Sequence, residues 1–468
     1  MQTGLRKITL SLLITTFLAA IEVTIISTAM PQIVDSLGGF TLMSWVFAIY
    51  LLTTSVSTPI WGKLSDLFGR KKIFMIGVTL FLIGSIACGL SQNMGQLIFF
   101  RAIQGLGAGA INPVTFTIIA DVYNFEQRAK IQGLVSSVWA IAGIFGPLAG
   151  GFLVDFFTWR WIFFINLPFG LVSMWMIGKH FKENLEKKKR QIDYGGAVTF
   201  TIAITALLFA LLSMNNEEGT GIALSHGQLI GLFGTALVFF VVFFLIQWKH
   251  PEPMMPLKLF QIKDVSISTA GAFLTSVILI GLTAYLPLWT QNVLGMGATS
   301  AGFTIMPLSL GWPVGAMLCS RLMSRFGTKN VVILGGSLIA LGSFLLTLIT
   351  PETSIWIIAL IILVIGLGFG FTSTIFTVVT QSSVQKNNRG AAGSLNTLLR
   401  TLGQTIGVAI FGAALNLVIH SHNLNQANET AAIANGLHFV FVIAAIISVI
   451  SLLVTFMIPN RQTEQYRH

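Results

Sequence analysis

Long apolar runs separated by short polar or charged stretches fill the chain from residue 8 to residue 458. A helix that crosses a bilayer needs about 20 consecutive apolar residues at a rise of 1.5 Å each. Windows of that length fall near 8–30, 43–61, 73–91, 97–119, 131–153, 161–178, 194–213, 228–247, 265–289, 299–319, 331–350, 355–379, 391–418 and 436–458. The pattern predicts an all-α integral membrane protein with fourteen spans. The first run exceeds the roughly 7–15 apolar residues of a signal-peptide core, and more spans follow it, so it is expected to be retained.

Composition agrees with this pattern, and the placement of charge adds an orientation. Of 468 residues, 54% are hydrophobic and 9% charged, with a mean hydropathy of +0.82, far from the roughly 25% charge of soluble domains. The net charge of +11 raises the question of a nucleic-acid partner. With the N-terminus on the cytoplasmic side, however, every Lys and Arg lies on an inner segment except Arg160, which is outside, and Arg101 and Arg400, which are within spans. This is the positive-inside pattern: both termini are expected in the cytoplasm, and no nucleic-acid partner is implied. Cys88 and Cys319 lie in spans far apart in sequence, and the histidines lack ligand spacing, so neither a disulfide framework nor a metal site is expected.

Motifs recur across the chain. Leu64, Phe68, Gly69, Lys71 and Gly77 return as Leu322, Phe326, Gly327, Lys329 and Gly335, an offset of 258. The run Gly105-Leu106-Gly107-Ala108-Gly109 returns as Gly366-Leu367-Gly368-Phe369-Gly370, and Arg128 and Gly146 return as Arg389 and Gly407, all offset by 261. These echoes predict a duplication with two parallel six-helix halves, the design that rocks about a midplane site in alternating access. The spans near 194–213 and 228–247 have no counterpart and read as an inserted hairpin. The expected organisation is therefore residues 1–180, a linker and hairpin over 181–264, and residues 265–468.

Chemistry concentrates in the first and fourth spans. Glu22 is the one carboxylate deep within an apolar run, and an ionised carboxylate there costs roughly 2.5 kcal/mol or more unless it is protonated, paired or facing a polar cavity. Ser11 and Thr15 share its helix face, which is expected to line a cavity. Arg101, Gln104, Ala108 and Asn112 form one face of the fourth span, at a depth that allows Arg101 to pair with Glu22. The alternatives are a carboxylate permanently satisfied by its neighbours and an arginine that snorkels outward.

The stretch Gly62-Lys63-Leu64-Ser65-Asp66-Leu67-Phe68-Gly69-Arg70 reads as a tight inner turn, in which Asp66 caps a helix or pairs with Arg70 to lock a gate. Gly143, Gly146, Pro147 and Gly151 in the fifth span combine small packing surfaces with a residue that removes a helix hydrogen bond, which favours a hinge. In the second half Asn396, Arg400 and Gln404 share one face, with Arg400 about 15 Å into its span. Either Arg400 lines the pathway or it bonds backbone carbonyls between the halves. Tyr285 is a further candidate for the substrate lining.

Together these motifs resemble the major facilitator superfamily, specifically its fourteen-span drug:proton antiporter branch, the EmrB/QacA-type multidrug exporters. The resemblance spans essentially the whole chain. It rests on Gly62 to Lys72, on Arg101, Gln104, Gly105 and Gly107, on Gly143, Gly146, Pro147 and Gly151, and on Ile21-Glu22-Val23-Thr24-Ile25-Ile26 with Ala29-Met30-Pro31. The family's usual aspartate in that last motif is Glu22 here, one methylene longer. The resemblance implies a major facilitator fold and export of amphipathic, often cationic compounds from a bacterial cytoplasmic membrane. It implies exchange for protons with Glu22 as coupling residue, a proton gradient in place of any cofactor, and a monomer in the bilayer. It also implies a charge relay of Asp66, Arg70 and Asp121.

Three other readings compete. An exporter of one endogenous metabolite or lipid would carry the same motifs, because they describe the machinery rather than the cargo. An integral-membrane enzyme would need a nucleophile, acid/base pair or metal ligands clustered at one depth, and the sequence shows none; a channel would not need duplicated gates.

Overall fold

The computed structural model describes residues 2–458 except 124, 182, 184–192, 214–223, 252, 254, 256, 385–388 and 422–428. Among the described residues there are no strands. The helices are α1 (Gln2–Leu37), α2 (Met43–Phe68), α3 (Arg70–Gly89), α4 (Met94–Val122), α5 (Phe125–Phe156), α6 (Trp161–Phe164), α7 (Asn166–His180), α8 (Tyr194–Ser213), α9 (His226–Lys249), α10 (Lys263–Leu288), α11 (Ala298–Leu346), α12 (Ile355–Ser382), α13 (Arg389–Ser421) and α14 (Glu429–Phe456). Fourteen segments among them are long and apolar enough to cross a membrane, and each expected window overlaps one.

Two helices depart from a plain hydropathy reading. The sixth span is split into α6 and α7 at Ile165, because Pro168 has no N–H to offer the carbonyl of Phe164 four residues back. Conversely, α11 carries two spans in one continuous stretch that reverses at Gly327, whose φ is 79°. Gly69, between α2 and α3, has φ 99°, a region that costs any residue with a Cβ. The two glycines are partners in the sequence repeat, so the duplication is written into the backbone.

Helix packing repeats as well. A Cβ on Gly105 would meet Tyr50 O at 2.6 Å, and one on Gly109 would meet Thr54 O at 2.9 Å, so both glycines seat α4 against α2. Gly107, on the opposite side, meets Gly77 O at 2.6 Å and seats α4 against α3. In the second half a Cβ on Gly366 would meet Leu308 O at 2.5 Å, one on Gly370 would meet Trp312 O, and one on Gly368 would meet Gly335 O at 2.6 Å. The alternate glycines thus let one helix lie backbone to backbone between two others, the small-residue logic of membrane helix association.

Described separately, the helices form two compact units: α1–α7 with α9 and α8 through Ala210, and α10–α14. The hairpin helices α8 and α9 join the first unit, where Phe209 meets Trp45 of α2 at 5.6 Å between ring centroids. Asp193 ties the two together, capping α8 through the N–H of Gly196 at 2.7 Å and accepting from Gln247 Nε2 of α9 at 2.5 Å. Only 11% of the apolar window of α9 is buried in the chain, against 72% for α10, so α9 presents its apolar surface to lipid.

Candidate functional site

Two helices of the first unit, α4 and α7, bring Glu22 its partners. Arg101 of α4 donates from Nη1 to Glu22 Oε1 at 2.5 Å and to Gln104 Oε1 at 2.9 Å. Its Nε donates to the carbonyl of Val46 at 3.2 Å, and its guanidinium lies 4.1 Å from the centroid of the Tyr50 ring. Asn166, the first residue of α7, donates from Nδ2 to Glu22 Oε2 at 2.8 Å and to Ser85 Oγ at 2.9 Å. Ser85 in turn accepts from Gln104 Nε2 at 3.3 Å and donates to the carbonyl of Phe163 at 2.8 Å. Glu22, Gln104 and Asn166 are wholly buried and Arg101 nearly so. Both carboxylate oxygens face donors, a ring of contacts built for the charged form.

Asn166 escaped the sequence reading because it stands in an aromatic stretch that looks like an interfacial anchor. The break ahead of Pro168 turns its side chain inward. Its Oδ1 has no partner among the described residues. Replacing Asn166 by Leu removes a charge-assisted bond from a buried carboxylate and should destabilise the protein by about 1–3 kcal/mol. A lowered Tm of the purified protein in detergent checks this, and an unchanged Tm contradicts it.

Ser11 and Thr15, expected to line a cavity, are buried in helix packing. Ser11 and Ser173 of α7 bond reciprocally, with Ser11 Oγ donating to Ser173 O at 2.8 Å and Ser173 Oγ to Ser11 O at 3.0 Å. Thr15 bonds back to the carbonyls of Ser11 and Leu12 at 3.0 and 3.1 Å, and both residues are fully buried. This face therefore clasps α7 instead of lining open space.

At the turn between α2 and α3, Arg70 meets Asp121 at the end of α4, with Nε 3.1 Å from Oδ2. Glu183 adds a partner that the sequence hid in a charged linker. It accepts from the backbone N–H groups of Arg70 and Lys71 at 2.6 and 3.2 Å, capping α3, and lies 3.7 Å from Arg70 Nη1. A Cβ on Gly62 would meet Pro113 of α4 at 3.8 Å. The side chain of Asp66 lies outside the described residues.

The glycines of α5 pack on the helix that carries Glu22. A Cβ on Gly146 would run into Thr24 Oγ1, and one on Gly150 would meet Ile25 O at 2.6 Å. Gly143 is half-buried and Gly151 buried. Helix α5 runs on through Pro147 without interruption. Gly407 repeats the arrangement in the second unit, where a Cβ on it would meet Val277 and Ile280 of α10 at 3.1 and 2.8 Å; Ile278 stands at the place that matches Glu22.

The remaining candidates separate. Asn112 is half-buried on α4. Tyr285 is fully buried and donates to the carbonyl of Val408 at 3.1 Å, its ring against Phe411; it braces α10 on α13 instead of lining a cleft. Asn396 and Arg400 of α13 do line one, with Trp312 and Phe369.

Comparison with known proteins agrees with this architecture. Residues 12–408 match the Major Facilitator Superfamily. The chain is 37% identical over 428 residues to multidrug resistance protein 3 of Bacillus subtilis (strain 168), covering 91% of this chain and 82% of that one. It is 33% identical over 405 residues to the multidrug transporter protein MdtP of the same organism, covering 86% and 74%. Among solved structures, a bacterial homologue of the human lysosomal transporter Spinster, inward-facing and unoccupied, superposes with a TM-score of 0.64 at 17% identity over 96% of both chains. Its fold is shared. Fourteen spans, duplicated glycine packing and the family match together show that the chain is a multi-pass membrane transporter of the Major Facilitator Superfamily.

Proposed function

We propose that this transporter exports amphipathic small molecules, cations among them, in exchange for protons, with Glu22 as the proton carrier. The observation that carries the reading is the buried Glu22–Arg101–Asn166 cluster, a lone carboxylate held by donors on two other helices. A carboxylate at such a depth is costly and is kept where a proton or cation relay uses it. Relatives named as multidrug proteins support small-molecule cargo. In this reading the two halves rock about the substrate, the Arg70–Asp121–Glu183 contacts close the cytoplasmic side, and the α5 glycines let the helix behind Glu22 slide.

One carboxylate exchanging one proton for one monovalent cation moves no net charge. Each net charge crossing would draw about 2.3 kcal/mol per 100 mV from the membrane potential, whereas an electroneutral exchange draws on the pH difference alone. In proteoliposomes, collapsing the pH gradient should therefore stop ethidium efflux, and collapsing only the potential should not. Efflux driven by potential alone would require a second titrating group, with Asp155 and Asp35 next to test, and would contradict the single-site exchange.

A further inference from the structure

Away from the span ends, the charged groups among the described residues are Glu22, Arg101 and Arg400. Glu22 and Arg101 neutralise each other in the first unit. Arg400 makes no hydrogen bond or ion pair among the described residues. The Trp312 ring centroid lies 5.6 Å from its guanidinium carbon, near the roughly 6 Å limit of a cation–π contact. The positive charge of Arg400 is therefore the one that the described residues leave uncompensated within the spans.

The cleft beside it measures about 10 Å³, room for about one water, and Trp312 is stacked on Phe369 alongside, with centroids 5.4 Å apart. The cleft can hydrate the guanidinium, but it seats neither an organic anion nor cargo. Asn396, Arg400 and Gln404 follow one another at i, i+4 and i+8 on one face of α13. Arg400 and Gln404 are half-buried, and Gln404 makes no hydrogen bond among the described residues. The positions that match these three in the repeat, at the offset of 261, hold Val135, Trp139 and Gly143, so the polar face belongs to the second half alone. An ionisable residue within a span faces the bundle interior or a transport pathway rather than lipid. In surroundings of low dielectric constant its charge acts well beyond contact distance.

We propose that Arg400 limits the charge that cargo can carry. Its unneutralised guanidinium repels cations from the pathway, so that a monocation balanced by Glu22 is tolerated and a dication is rejected. The repulsion grows in proportion to the charge of the cargo, which makes the residue a filter by charge and not by shape. Neutral cargo does not feel it. The inference rests on the reading that the chain carries amphipathic small molecules; it does not depend on protons driving their transport.

Three dyes of one skeleton test the proposal: dihydroethidium is neutral, ethidium carries one positive charge and propidium carries two. Fluorescence anisotropy with the purified protein in detergent gives their dissociation constants. Arg400→Gln should tighten the binding of ethidium by roughly fivefold and that of propidium by roughly the square of that factor. It should leave dihydroethidium within about twofold, the neutral dye reporting that the variant is folded. Arg400→Lys, which loses the planar fork but keeps the charge, should bind all three within about twofold of wild type. Unchanged cation binding by the Arg400→Gln protein, an equal gain or loss for all three dyes, or an Arg400→Lys protein that behaves like Arg400→Gln would overturn the filter. Wild-type and variant proteins that bind none of the dyes would sink the cargo reading and the filter with it. The expected charge series without proton-driven efflux of ethidium would leave the filter standing and sink the exchange reading.

Discussion

Glu22→Gln should reduce active, gradient-driven efflux to the level of empty vesicles while the protein remains folded and inserted. The amide has the size of the carboxyl and the neutrality of its protonated form, so it holds the site in one of its two states. Arg101 keeps the carbonyl oxygens of Gln104 and Val46 and the ring of Tyr50 in the variant. Asn166, whose Oδ1 has no partner, can turn its amide to accept from the new N–H₂. The fold therefore tolerates a neutral residue 22, as it must if Glu22 is protonated once per cycle. Binding of neutral substrates should survive, because no proton need leave for them. Accumulation at the wild-type rate by this variant would remove Glu22 from the coupling mechanism.

Arg101→Gln should cost a large part of the protein's stability. Removing one member of a buried ion pair leaves the other charge uncompensated, at a cost of about 3–5 kcal/mol. The residues that flank Arg101, Tyr50 and Gln104, lose a shared neighbour at the same time. A proton on Glu22 neutralises the orphaned charge, so the deficit should shrink as the pH falls. The double variant Glu22→Gln, Arg101→Gln replaces the pair by two amides and should recover most of the lost stability, but not transport. Thermal unfolding of the four proteins closes the cycle and isolates the pair's own coupling. An Arg101→Gln protein as stable as wild type, or a double variant no more stable than Arg101→Gln alone, would show that the pair is not energetically coupled.

That Glu22 and Arg101 were placed to meet was readable in the sequence, because depth along a span and the face of a helix are one-dimensional, whereas the choice between pairing and an outward-snorkelling arginine was not. The repeat was readable for the same reason, since Gly69 and Gly327 mark sharp reversals wherever they occur. Asn166 was not, because its role depends on a helix break that brings a residue from an aromatic anchor inward. Ser11 illustrates the converse error: a hydroxyl on a polar face reads as cavity lining, and only the position of Ser173 shows that it is a clasp. Glu183 lay in a run of charges where nothing distinguishes the residue that caps α3. The grouping of α8 and α9 with the first unit depends on contacts such as Trp45 with Phe209, which hydropathy does not encode. Arg400 was visible as a charge in a span, but its place over the Trp312 ring, without a hydrogen bond or ion pair among the described residues, is a fact of three dimensions.

The central claim is that the proton and the drug compete for one carboxylate, and proton release on drug binding measures that competition without transport. Purified protein in weakly buffered detergent solution, at a pH where Glu22 is protonated, should release about one proton for each ethidium bound, by linkage. The Glu22→Gln protein should bind without release. Equal proton release from the wild-type and Glu22→Gln proteins would place the exchanged proton elsewhere and contradict the account.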